Sequence, residues 1–173
     1  MSTRGNIAIA INAVDARVVY NHYDSYPKFL GAILKCYYFN SELVEELINN
    51  GDVSSVGKFV GEKHDFEDCP ENWCNFYGRD RGEDNCEATT HSTSANWSSN
   101  GADYDYLFFN GKWFVRRSGT IGINSWHVLT DEECGITVQD KINAKQEVME
   151  YLKAKKNQHK NLDKMLDDFL AKF

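Results

Sequence analysis

The sequence predicts an α+β fold, with an antiparallel sheet, two consecutive helices on one face and a helical C-terminal extension. Three observations predict it. Apolar residues alternate near the N-terminus, as in strands; an Asn-Gly pair separates two aromatic segments, as in a hairpin; and apolar residues recur at helical spacing late in the chain. We expect residues 1–130 to form the α+β core domain and residues 131–173 to form a C-terminal helical extension of the same domain.

Two neighbouring segments near the N-terminus predict a first hairpin. Ile7, Ile9 and Ile11 alternate with alanines, which indicates a strand. Residues 17–23 are β-branched and aromatic, which favours a second strand antiparallel to the first. Residues 12–16 are then the turn between the two strands.

Two helices are predicted to follow this hairpin. Pro27 suits the first turn of a helix, where its missing N–H is not needed, and apolar residues recur at helical spacing as far as Tyr37. The second helix is predicted to begin near Asn40 or Ser41, and Asn49-Asn50-Gly51 is a typical stop signal.

The middle of the chain is polar and irregular. One strand is predicted around Trp73 to Tyr77, and residues 89–101, which are rich in Ser, Thr and Asn, are predicted to be a loop. A second hairpin follows, since Asn110-Gly111 tolerates the positive φ angles of a type I′ turn. Its strands flank that pair on both sides, and the side chains expected in the core are Tyr106, Phe108, Trp113 and Val115.

The C-terminal extension carries two apolar stripes at helical spacing. The first consists of Ile142, Val148, Met149 and Leu152, and the second consists of Leu162, Met165, Leu166, Phe169 and Leu170. Residues 155–161 lie between them and contain no apolar side chain, which indicates either a break in the helix or an exposed middle turn.

Composition and charge exclude several classes of protein. The chain has 173 residues and a net charge of −7, so it is not expected to bind long nucleic acid, which attracts basic proteins. Its acidic residues are interspersed with basic ones, which favours a solvated surface over a DNA mimic. No apolar run is long enough for a membrane span, and no signal peptide is recognisable, so we expect a cytoplasmic protein.

A first candidate site lies where the second strand runs into the first helix. His22, Asp24 and Tyr26 are close together there, and His22 and Asp24 point to the same side if the strand persists. A histidine beside a carboxylate can act as an acid or base or as a ligand-binding group. The alternative is structural: Asp24 or Ser25 caps the helix and His22 packs beside the sheet.

A second candidate site is the segment Tyr77-Gly78-Arg79-Asp80-Arg81-Gly82-Glu83. Arg79 and Arg81 share a face if this segment is extended, and guanidinium groups suit phosphate or carboxylate. If this segment meets the first candidate site, Arg79, Arg81 and Glu83 are expected to bind a small anionic ligand together with His22, Asp24 and Tyr26. The alternative is that the arginines form surface ion pairs with the neighbouring acids.

The five cysteines are expected to be reduced, and no metal or cofactor is expected. Cys69, Cys74, Cys86 and His91 have the right donor atoms for zinc, but their spacing fits a zinc site poorly. A cysteine nucleophile has no support in the local sequence, and no phosphate-binding glycine loop is present.

Several segments together resemble a family of uncharacterised proteins common in phage and mobile-element genomes. The shared segments are Ser2-Thr3-Arg4, Val19–Pro27 with Gly31, Leu47-Ile48 with Gly51–Ser55, Tyr77–Glu83, and the hairpin from Tyr106-Leu107-Phe108 to Gly111 and Trp113. The resemblance covers roughly residues 1–117. Asn21, Tyr23 and Ser25 depart from the family pattern, and the cysteines of the middle region lie outside it.

This resemblance implies a phage-encoded accessory protein of the host cell cytoplasm that binds and disables a host component, in host takeover or counter-defence. An anionic-ligand pocket formed by the two candidate sites is one way to do so. Two alternatives stay open: a small enzyme acting on a nucleotide or nucleic acid, with His22 as acid or base, and a protein–protein adaptor that uses the C-terminal helices. The family carries no activity that can be assigned to named residues.

Overall fold

A computed structural model of the chain describes residues 2–97 and 101–171. Within these residues one sheet of eight strands forms the centre of the fold, in the order β4-β3-β2-β1-β6-β7-β8, with β5 also paired to β2. The strands are β1 (Gly5–Ala10), β2 (Asp15–Asn21), β3 (Val53–Ser55), β4 (Asn75–Phe76), β5 (Thr89–Ser92), β6 (Tyr104–Phe109), β7 (Lys112–Arg117) and β8 (His127–Val128).

The α+β class is confirmed, but the sheet is mixed rather than antiparallel throughout. Both predicted hairpins are present, since β1 pairs antiparallel with β2 and β6 pairs antiparallel with β7. However, β1 pairs parallel with β6, and β2 pairs parallel with β3. Each of these parallel pairs is joined by a long connection that contains helices, which lets the chain return in the same direction.

The helices follow the order in which the sequence predicts them. A π-helical turn (Pro27–Gly31) leads into α1 (Ala32–Tyr37), and α2 (Ser41–Asn49) follows, with the side chain of Asn40 accepting a hydrogen bond from the backbone N–H of Leu43. The remaining helical segments are α3 (Tyr77–Arg81), a 3₁₀ turn (Ile123–Ser125), α4 (Asp131–Cys134) and α5 (Val138–Leu170).

Most of the hydrophobic core lies between the sheet and the first two helices. Ile7 and Val19 from the first hairpin pack there with Leu34 of α1 and Leu47 of α2. The four hairpin side chains expected in the core are confirmed as buried: Tyr106, Phe108, Trp113 and Val115. The turn between them has positive φ at both Asn110 (48°) and Gly111 (75°), as a type I′ turn requires.

The opposite face of the sheet buries an ion pair that the sequence does not reveal. Arg116 and Asp105 have fully buried side chains, and Arg116 Nε lies 2.9 Å from Asp105 Oδ2. The guanidinium group stacks between Trp97 and Trp126, at 4.8 and 4.3 Å from their ring centres. The guanidinium group of Arg116 is therefore paired with a carboxylate and covered by two aromatic rings, which gives the ion pair a structural role.

One local prediction is wrong, and one open alternative is decided. Residues Thr89–Ser92, predicted to lie in a loop, form β5 and pair antiparallel with β2. β-branched threonines suit such an edge strand as well as they suit a loop. Residues 98–100 of the predicted loop lie outside the described residues. Of the two alternatives for residues 155–161, the exposed helical turn is confirmed and the break is absent, because α5 runs without interruption from Val138 to Leu170 and residues 156–161 are exposed.

Candidate functional sites

His22 lies just beyond the end of β2 and is held there by the backbone. Its N–H donates to the carbonyl of Val53 at 3.1 Å. Its Nδ1 lies 3.0 Å from the hydroxyl of Tyr20, and the ring of Tyr23 packs edge-on against it at 4.4 Å between centres. Burial lowers the pKa of His22, and the nearby Arg4 lowers it further. The imidazole is therefore biased towards its neutral form.

Asp24 and Tyr26 lie on the exposed turn between β2 and the first helical turn. The strand does not persist through Asp24, whose φ is +54°, so His22 and Asp24 are not related by strand geometry. Tyr26 occupies the N-cap position, and no side chain caps this helical end. The alternative that Asp24 or Ser25 caps the helix is therefore wrong.

Arg79 is a structural residue. Its guanidinium group donates to the carbonyls of Val60, Gly61 and Cys74, at 3.0 to 3.2 Å. It also pairs with Asp80, Nε to Oδ1 at 2.8 Å. Burial alone would raise the pKa of Asp80, but the bonds from Arg79 and from two backbone N–H groups keep it lowered. Arg79 thus fixes the 57–76 segment to α3.

Arg81 has a different environment from Arg79, because the segment is helical rather than extended. Residues two apart in a helix do not share a face, so the predicted shared face of the two arginines is wrong. Arg81 is 53% exposed, lies 3.3 Å from a carboxylate oxygen of Glu83, and covers the ring of Phe66. Of the two arginines, Arg81 is the more exposed, since the side chain of Arg79 is only 14% exposed.

The two predicted clusters lie on either side of β3, since the N–H of His22 donates to the carbonyl of Val53 and the N–H of Tyr77 donates to the carbonyl of Asp52. Burial raises the pKa of Tyr77, and a hydrogen bond with Ser54 lowers it. The clusters open onto different cavities. Asp24 lines a groove of about 400 Å³, whereas Arg79 and Glu83 line a cavity of about 250 Å³.

The cysteines do not assemble a metal site. All five are free thiols: Cys36, Cys69, Cys74, Cys86 and Cys134. Within the described part of the chain, no group of three or more His, Cys, Asp or Glu side chains is placed to hold a metal ion. Cys74 is fully buried against the hydroxyl of Tyr38, at 3.2 Å, and burial raises its pKa to about 11. Such a thiol is a poor nucleophile.

The sequence did not single out the groove beside Asp24. Four aromatic side chains from separate parts of the chain line it: Tyr23, Phe29, Tyr37 and Trp73. Tyr23 precedes the first helical turn, Phe29 and Tyr37 lie on the helical segment, and Trp73 comes from the middle region. Only the fold brings them together, although three of them lie within fifteen residues of one another in the sequence.

The first half of α5 is fixed to the body of the protein. Ala144 and Val148 are buried, and Tyr151 stacks on Phe59 with ring centres 4.4 Å apart. Three bonds add to this contact. Glu147 accepts from Lys58 at 2.8 Å, the hydroxyl of Tyr151 accepts from the N–H of Gly61 at 3.2 Å, and Lys155 donates to Glu46 at 2.7 Å.

The second half of α5, residues 156–170, has every side chain exposed. It extends about 22 Å past Lys155 at 1.5 Å per residue. Five large apolar side chains lie along it, each more than half exposed: Leu162 (59%), Met165 (71%), Leu166 (57%), Phe169 (57%) and Leu170 (60%). We call these five residues the distal stripe.

The resemblance to the phage family stays a prediction, because no family model, curated protein or solved structure matches the chain. Among the described residues, no helix is both long enough and apolar enough to cross a membrane, α5 included.

Proposed function

We propose that this chain is a binding protein that docks the distal stripe of α5 into an apolar groove of a partner protein. In the setting implied by the resemblance, that partner is a host component that a phage accessory protein disables. The observation that supports the proposal is the exposure of five large apolar side chains on one helix segment. Contiguous exposed apolar surface of this kind marks interaction sites.

The spacing of the distal stripe favours a groove as the partner surface. Relative to Leu162, the other four side chains follow at positions three, four, seven and eight. This is the anchor spacing of amphipathic helices that lay one face into a hydrophobic groove. Because a groove contacts a helix from several sides, a short apolar segment is sufficient for binding.

A second copy of the chain fits the distal stripe less well. A coiled coil needs apolar seam positions over about three to four heptads, and the stripe covers fewer than two. The preceding residues 156–161 are polar, so an antiparallel pair centred on Leu166 would bury only the nine residues from 162 to 170.

A lipid surface also fits less well. Helices that lie on membranes usually carry an excess of Lys and Arg on the polar face. Here Lys156, Lys160 and Lys164 are balanced by three aspartates, Asp163, Asp167 and Asp168. The segment is neutral, which suits an uncharged apolar groove.

Photo-crosslinking tests the proposal in the cells that produce the protein. Leu166 and, as a matched control, Asp168 are each replaced by a photo-crosslinking residue. Two residues of α-helix turn by about 200°, so Asp168 points away from the stripe. We expect one protein adduct from position 166 that is absent from position 168, and loss of binding by Leu166→Glu when the two purified proteins are mixed. Adducts of the chain to itself or to lipid, equal adducts from both positions, or none would overturn the proposal.

A further inference from the structure

The aromatic groove beside Asp24 has the size and lining of a small-ligand site. Its volume is about 400 Å³, within the range of roughly 300–1,000 Å³ that is typical of such sites. Tyr23 and Phe29 are 49% and 43% exposed, although large aromatic side chains usually find cover in a core. Both line the groove, which makes the groove accessible to a solute.

The rings that line the groove are held from outside it. Tyr23 packs against His22, Phe29 packs against Tyr26, and Trp73 packs against His64. Among the described residues, no ring contact joins Tyr23, Phe29 and Trp73 to one another. The three rings therefore do not cover one another, and the groove lies beside them.

The charges around the groove favour a cation. The Asp24 carboxylate is exposed, and within the described residues its side chain makes no hydrogen bond or ion pair. Among the described residues of the lining, the one cationic side chain is Lys58, which forms an ion pair with Glu147 at 2.8 Å. Lys58 already lies 5.3 Å above the ring of Tyr37, so the chain places an ammonium group over one of these aromatic faces itself.

We propose that this groove binds an organic ammonium group, such as a quaternary alkylammonium ion or the methylated ammonium of a lysine side chain. Aromatic faces attract cations through their quadrupole, and cages of such rings are used to bind quaternary ammonium groups. A methylated ammonium has few or no N–H groups to donate, so aromatic faces and the charge of Asp24 can hold it without the hydrogen bonds that a free amine needs. The net charge of −7 raises the local concentration of cations. This inference does not depend on the distal stripe.

Calorimetric titration with tetramethylammonium, with choline, and with a peptide carrying trimethylated or unmodified lysine tests the inference. The wild-type protein should bind the methylated groups saturably and prefer the trimethylated peptide to the unmodified one by about tenfold. If the trimethylated peptide binds no more tightly than tetramethylammonium or choline, the ligand is a free ammonium ion. If it binds more tightly than these small ions, the ligand is a methylated lysine of a protein.

Three variants locate the binding. Phe29→Ala removes a ring of the groove and should weaken binding about tenfold, and Asp24→Asn should weaken it several-fold. Asparagine tolerates the positive φ of this position, so Asp24→Asn keeps the turn. Ile121→Ala is the control, because Ile121 is 75% exposed and does not line the groove, and it should bind as wild type. Absence of saturable binding, equal affinity for unmodified lysine, or retained binding by Phe29→Ala would overturn the proposal.

Discussion

The two halves of α5 share one apolar face but not its surroundings. In the first half this face carries Val148 and Tyr151, which pack on the body of the protein. Leu162 and Leu166 follow Val148 by 14 and 18 residues, which is about four and five helical turns. They therefore face nearly the same way, but they lie beyond the end of the body and are exposed.

The fold of the single chain needs the apolar face in the first half of α5 but not in the distal half. An isolated helix of about 15 residues is marginal in water, and the distal half gains no stability from burial. Its apolar face is therefore not explained by the fold of the single chain. An apolar helix face that continues beyond the body on which it packs is the feature expected of a helix that binds a partner protein.

The largest expected effect comes from placing the same charge on this face in each half. Val148→Asp buries a carboxylate without a partner and should lower the free energy of unfolding by about 3 kcal/mol or more. Leu162→Asp leaves the carboxylate in water and should change it by less than about 0.5 kcal/mol. Urea unfolding measures both. Equal losses in the two variants would show that the distal half packs on the body.

Hydrogen exchange should separate the halves without any mutation. Backbone amides at 141–155 lie under tertiary contacts and should be protected, whereas those at 158–170 should exchange at least about tenfold faster, because an unsupported helix frays. Mass spectrometry of peptides from each half gives the comparison. Uniform protection along α5 in the isolated protein would contradict the account.

A smaller, pH-dependent effect is expected at the start of α5. Bonds from Lys141 and Lys35 lower the pKa of Asp131, so its native pKa lies below the unfolded value of about 3.9. Such a group stabilises the fold above the unfolded pKa, and its contribution is lost as the pH falls through the native pKa.

Asp131→Asn tests this effect. Because the groups are partly exposed, solvent screening limits the loss at pH 7 to less than about 1 kcal/mol. The difference from wild type should vanish at a pH below the native pKa of Asp131. Asp167→Asn in the distal half is the control and should match wild type at both pH values. A loss that persists in acid would assign Asp131 a role other than its ion pairs.

The sequence predicts the individual strands and helices better than it predicts how they pair and pack. The hairpin at Asn110-Gly111 is predictable because its turn chemistry is local. The parallel join of β1 with β6 is not, since it depends on how the chain returns after the helices. Likewise the polar stretch at 155–161 does not break α5, because it contains no Pro or Gly and its three lysines and Gln158 have good helix propensity.

The candidate sites show the same limit. Arg79 and Arg81 look equivalent in the sequence, but α3 turns one into the body and the other towards solvent. No local pattern distinguishes them, because the carbonyls that bind Arg79 come from residues 60, 61 and 74. The apolar spacing at 162–170 is visible in the sequence, whereas its exposure is a property of the fold. The anionic-ligand site at His22 and Arg81 stays a prediction.

The most direct test of the central claim is the affinity of the purified protein for the partner identified by crosslinking at position 166. The account predicts that Leu166→Glu and a chain ending at Asn157 both lose at least about a hundredfold in affinity, as expected when anchor side chains are removed. Both should have the free energy of unfolding of the wild type to within about 0.5 kcal/mol, as measured by urea unfolding. Unchanged affinity in the shortened chain would contradict the account, because it would place the binding surface on the body of the protein.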